Sequence, residues 1–126
     1  MDTVNKDKLK KLLNIYFKEI HQIYIGGNFR EESFYSTLKS LLENCSQLSG
    51  SLADILILPK KTEAGIPDFR ITKNGELIGY IEAKTPETNL RQEENSDQLK
   101  RYRESFPNLI LTNFMEFRLY REGNLI

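Results

Sequence analysis

The chain is poor in the residue types from which many catalytic centres are built. Cys45 is its only cysteine, which excludes an internal disulfide framework and a cysteine zinc cluster. His21 is its only histidine and falls inside a helical pattern, so a Ser-His-Asp arrangement is not expected. Neither charge is in excess: Lys plus Arg and Asp plus Glu number 18 each. A domain that grips DNA unaided usually carries a basic excess, so any action on DNA here requires delivery by something else. The short basic clusters at Lys8-Lys10-Lys11, Lys60-Lys61 and Lys100-Arg101-Arg103 read as solvated faces. No apolar run approaches the length of a membrane span, and the opening residues do not read as a secretory signal. Together with the charged face of the first helix, this places the expected location in the cytoplasm, away from membranes.

The 126 residues, 39% apolar and 29% charged, suit one compact domain over 1–126. Leu9, Leu12, Leu13, Tyr16, Phe17, Ile20 and Tyr24 recur at helical spacing and predict a helix from about Lys6 to Ile25, closed by Gly26-Gly27. Asn28 is expected to cap a second helix, about Phe29 to Asn44. Short strands are expected at Asp54–Leu58, Phe69–Thr72, Leu77–Ala83, Leu109–Thr112 and Glu116–Tyr120, with a third helix over about Asn95–Phe106. A helix between the Glu82 and Leu111 strands makes those two strands parallel. The expected fold is therefore α/β, a mixed sheet of about five strands flanked by helices. The chain stops soon after its last strand, which suggests a domain, N-terminal in a longer polypeptide.

The chemistry lies between Gly65 and Pro86. Pro67-Asp68 opens one strand, and Glu82-Ala83-Lys84 ends the next. Residues two apart on a strand share a face, so Glu82 and Lys84 project together. Such a pair by itself can equally be a solvated ion pair. Two carboxylates and an ammonium at one spot can also hold a divalent metal and place a water for phosphodiester hydrolysis. Hairpin register decides whether Asp68 joins them. A strict two-residue Asn74-Gly75 turn puts Asp68 on the opposite face. A three-residue turn, Lys73-Asn74-Gly75, or a bulge of the same parity, puts Asp68 with Tyr80, Glu82 and Lys84. It also gathers Phe69, Ile71, Ile81 and Ala83 on one apolar face, and register follows the apolar set.

Further polar residues belong to the same pattern. Glu31 falls within the apolar arc of Phe34, Leu38 and Leu42. It can close the helix start in an Asn28-x-x-Glu31 capping box, or lie beside Asp68 and Glu82 and help hold a metal. Gln98 and Tyr102 stand one turn apart on the third helix, where Gln98 can orient Lys84 or touch a phosphate.

In this order the motifs resemble the PD-(D/E)xK nuclease superfamily. Pro67-Asp68 matches its first element, Glu82-Ala83-Lys84 the second, and Gln98 through Tyr102 the Gln-x-x-x-Tyr element of several branches. More narrowly, the chain resembles the nuclease domain of type ISP and type IIG restriction-modification enzymes. That likeness rests on Arg30-Glu31-Glu32-Ser33-Phe34-Tyr35, on Glu82 to Pro86, and on Leu109 to Asn113 followed by Glu116 to Tyr120. The resemblance implies a restriction-endonuclease-like fold and a Mg²⁺-dependent DNA endonuclease, with Mn²⁺ as a substitute. It implies metal binding by Asp68, Glu82 and the Ala83 carbonyl, with Glu31 auxiliary, and a water-orienting or water-deprotonating role for Lys84. It also implies helicase, methyltransferase and target-recognition domains in the same or an associated chain. A non-catalytic module with a nuclease-like fold and a standalone small nuclease are the alternatives.

Overall fold

The computed structural model describes residues 3–126, and the chain forms two compact units, Met1–Asp54 and Ile55–Ile126. In the first unit, the helical recurrence of apolar side chains produces α1, Thr3–Gly26, which buries Tyr16 and Ile20. The next helix does not begin at the expected Asn28 cap. Phe29 packs between Tyr24 and Phe34, with ring centroids 5.3 and 5.2 Å away. This aromatic contact holds the chain extended as far as Arg30, the residue that caps a 3-10 turn over Glu31–Phe34. The Arg30 N–H donates to Ser33 Oγ at 3.0 Å, so the start is secured by Arg30 and Ser33, not by Asn28 and Glu31. α2 follows as Tyr35–Ser49 and buries Tyr35, Leu38 and Leu41.

The second unit is built on a mixed sheet, with six strands among the described residues in the spatial order β1 to β6. They are β1, Asp54–Ile57; β2, Phe69–Lys73; β3, Glu76–Ala83; β4, Asn108–Thr112; β5, Phe117–Arg121; and β6, Asn124–Leu125. The strand beyond the five expected is β6. Its two residues pair with Tyr120 and Arg121, too short a run for apolar alternation to announce. β3 and β4 are parallel, as the intervening helix requires. That connection carries two helices, the single turn α3, Leu90–Glu93, and α4, Asp97–Ser105. Ser96 caps α4 by accepting from Leu99 N–H at 3.2 Å. Leu90, Leu99, Tyr102, Phe106, Leu109 and Leu111 form a buried cluster that seals α3 and α4 onto one face of the sheet. Each such side chain contributes up to about 1.5–3 kcal/mol by leaving water. No helix of the described residues is long and apolar enough to cross a membrane.

The β2–β3 hairpin settles the register differently from the three-residue turn. Lys73 pairs with Glu76, so Asn74-Gly75 is a two-residue turn, with φ of 53° and 79°. These left-handed values suit Asn-Gly and match the strand twist. The apolar set is recovered further along. Thr72 faces Leu77 and Ile71 faces Gly79, which leaves Ile78 as an extra residue. This bulge returns Phe69 to a position opposite Ile81. Local turn chemistry and the apolar face are both satisfied, and one bulged residue absorbs the conflict between them.

Candidate active site

Asp68 stands just before β2, after the buried Pro67. Proline cannot donate to a ladder, so it sits at a strand start. Two backbone contacts and one side-chain contact hold Asp68 there. Its N–H donates to the Ile81 carbonyl at 3.1 Å, and its carbonyl accepts from Leu58 N–H at 2.8 Å. Its Oδ2 accepts from Ala83 N–H at 2.7 Å. The last contact brings the Asp68 carboxylate to the Glu82-Ala83-Lys84 segment, where the bulged register predicts it.

Glu82 lies near the end of β3, paired with Leu111 of β4. It is only 4% exposed, and its Oε1 is buried without a hydrogen-bond partner. Burial pushes the Glu82 carboxyl up to about 8, and the neighbouring Asp68 charge pushes the same way, against Lys84. A buried orphan acceptor is costly. Here a proton shared with Asp68, or a cation in its place, would relieve the two crowded carboxylates.

Lys84 continues the β3–β4 ladder through its N–H, which donates to the Thr112 carbonyl at 2.8 Å. Its Nζ meets Gln98 Oε1 at 3.0 Å, Glu82 Oε2 at 3.4 Å and Glu93 Oε1 at 3.5 Å. Gln98 Nε2 in turn reaches the Tyr102 hydroxyl at 3.4 Å. Tyr102 is fully buried. Burial, and next the Glu82 charge, hold its phenol up at about 12, so it stays protonated through the neutral range. Gly65 makes room for this phenol. A Cβ at Gly65 would stand 3.0 Å from the Tyr102 hydroxyl, and its φ is +136°. The loop after Lys84 is fastened by Asn113, whose Nδ2 donates to the Thr88 carbonyl at 3.0 Å.

Asp68, Ala83, Glu82, Lys84, Gln98 and Tyr102 therefore form one connected group. Glu31 lies in the first unit, where Tyr35 OH donates to its Oε1 at 2.8 Å. Glu93 was not singled out from the sequence, although it touches Lys84. It stands in a polar stretch whose one structural signal is the buried Leu90 beside the capping residue Asn89. Of the basic cluster on α4, Arg103 is held within the fold. It donates to the Gly123 carbonyl at 3.1 and 3.2 Å and lies 5.1 Å over the Tyr120 ring.

Among the described residues, no group of three or more His, Cys, Asp or Glu side chains gathers as a metal site. The oxygen donors here are the Asp68 and Glu82 carboxylates and the backbone, while the Gln98 and Glu93 oxygens are turned to Lys84. That set still suits Mg²⁺, which takes oxygen ligands, keeps several waters and needs only one or two carboxylates. The partnerless Glu82 Oε1 is the observation that favours a cation there. No family model, no curated protein and no solved structure matches the chain.

Proposed function

We propose that this chain is a Mg²⁺-dependent DNA endonuclease domain of the PD-(D/E)xK type, a cytoplasmic component of a restriction-modification enzyme. The observation that carries the reading is the meeting of Asp68, Glu82 and Lys84 at the end of β3, with a buried Glu82 oxygen left unpartnered. The Asp68 and Glu82 carboxylates and the Ala83 carbonyl would hold the ion. The ion would supply Lewis-acid polarisation of the scissile phosphate and a more acidic water.

The chain's own residues do the rest. Lys84 would turn the N–H that lies on the Glu82 side toward the attacking water and steady it for in-line attack. Gln98 holds Lys84 from one side, and Tyr102 holds Gln98 through its hydroxyl. Asp68 ties the start of β2 to the Ala83 amide, so the two carboxylates approach the substrate as one rigid edge. Delivery to DNA falls to helicase, methyltransferase and target-recognition domains in the same or an associated chain, because the formal net charge is zero.

Nicking of supercoiled plasmid tests the proposal. At micromolar protein, Mg²⁺ or Mn²⁺ should support slow, nonspecific nicking, and EDTA should stop it. The affinity for duplex DNA should be weak, with Kd of about 1 μM or more at physiological salt. Nicking that persists in EDTA would remove the metal from the reaction. Tight, sequence-specific binding by this chain alone would favour a standalone nuclease.

A further inference from the structure

The corner between α3 and α4 carries two adjacent glutamates with opposite tasks. Glu94 faces the sheet. Its carboxylate accepts from the Tyr120 hydroxyl on β5 and pairs with Arg118 at 3.2 Å. Its carbonyl accepts from Arg103 at 3.2 Å, and its N–H closes α3 on the Leu90 carbonyl at 2.9 Å. The Tyr120 hydrogen bond is the first cause that draws the Glu94 carboxyl below its ordinary range. The corner is thus fastened to β5 and to α4 by side chain and backbone together. Glu93 precedes this anchor and reaches Lys84 Nζ at 3.5 Å, with its side chain 28% exposed.

We infer that Glu93 is a positioning residue for Lys84, held in place by the Glu94–Arg118–Tyr120 anchor; the inference rests on the nuclease reading for its catalytic meaning. Lysine has a long flexible stem and three donors on one nitrogen. Gln98 accepts one N–H of the ammonium at 3.0 Å and so sets one direction. The second acceptor, on a different helical turn, fixes a second N–H. The third then points along the Glu82 side, where Oε2 lies 3.4 Å away. Unlike Glu82, Glu93 stands on a helical turn and not on a strand. Its placement therefore depends on the anchored corner, which the Asn89 cap begins and Glu94 completes.

The full chain carrying Glu93→Gln tests this with two readouts. The first needs no cleavage. Competitive acetylation followed by mass spectrometry compares Lys84 with the exposed Lys100 of the same molecule. In Glu93→Gln the Lys84-to-Lys100 ratio should rise about threefold, the scale of a partly screened ion pair. The second readout is Mg²⁺-dependent nicking. There kcat should fall roughly tenfold, as for other outer-shell partners, with KM for DNA within about twofold and thermal stability close to the parent. An unchanged acetylation ratio in a folded variant overturns the positioning role. So does a KM effect without a kcat effect. If the parent shows no nicking, the nuclease reading falls, and the acetylation ratio still decides whether Glu93 holds Lys84. Tyr120→Phe, which weakens the anchor without touching Lys84, should move the ratio in the same direction. A ratio unmoved by Tyr120→Phe detaches the anchor from the proposal.

Discussion

Replacing Lys84 by alanine should abolish DNA nicking while leaving the fold in place. Lys84 is the group nearest to both Glu82 and Gln98 that can donate to an attacking water. Loss of a group that acts on the nucleophile costs about two to four orders of magnitude in rate. The structural cost is small by comparison. The side chain is 21% exposed, the Glu93 and Gln98 oxygens it leaves behind can reach water, and the buried Glu82 carboxyl can keep its proton, so the loss of stability near neutral pH should be about 1 kcal/mol or less. The measurement is single-turnover plasmid nicking in Mg²⁺, parent against Lys84→Ala, with a thermal melt of each. Comparable nicking by the two proteins would take Lys84 out of the mechanism. A variant that fails to fold would show instead that the ion-pair group is structural.

Glu82→Gln should abolish cleavage and stabilise the metal-free protein at alkaline pH. In the fold, burial and then Asp68 raise the Glu82 carboxyl to about 8, from an ordinary value of 4.5. The folded chain keeps this proton across a window in which the unfolded chain has released it. The stability this group contributes is therefore complete below pH 4.5 and is lost progressively as pH rises through about 8. Glutamine keeps the shape and removes the titration. The difference between variant and parent should be small at pH 4.5 and grow to about 2–3 kcal/mol by pH 8.5. Added Mg²⁺ should raise the parent's melting temperature at pH 8 and leave that of Glu82→Gln nearly unchanged. Paired denaturation curves at the two pH values, with and without Mg²⁺, provide the check. A Glu82→Gln variant that is less stable at pH 8.5 would mean that the buried carboxylate is structurally satisfied.

The sequence carried the strong periodicities and missed the places where two local rules compete. α1, α2, α4 and the strands from β1 to β5 follow from apolar spacing, because each buries one continuous face. The hairpin does not follow from either rule alone. Asn74-Gly75 dictates a two-residue turn, the Phe69 and Ile81 face dictates the opposite parity, and only a bulge at Ile78 reconciles them. The start of α2 was displaced by aromatic contacts between Phe29 and its neighbours, a tertiary preference that overrides the capping preference of Asn28. At the site, Asp68, Glu82, Lys84, Gln98 and Tyr102 were legible because strand and helix periods put each on a definite face. Glu93 was not, since its contact depends on the corner between α3 and α4, where no period applies. By spacing alone, Arg103 belongs to a solvated basic cluster. Its partners, the Gly123 and Glu94 carbonyls and the Tyr120 ring, come from segments too far along the chain for spacing to reveal.

On the proposed reading, Asp68 and Glu82 together hold a divalent metal ion beside Lys84. Crystals soaked in Mn²⁺, with data collected at the manganese absorption edge, address it directly. An anomalous peak is expected within bonding distance of both the Asp68 and Glu82 carboxylates, with the Ala83 carbonyl as a third protein ligand and with waters completing the shell. A well-ordered site with no manganese between these two side chains at millimolar Mn²⁺ and pH 8, or with the ion bound elsewhere, would contradict it.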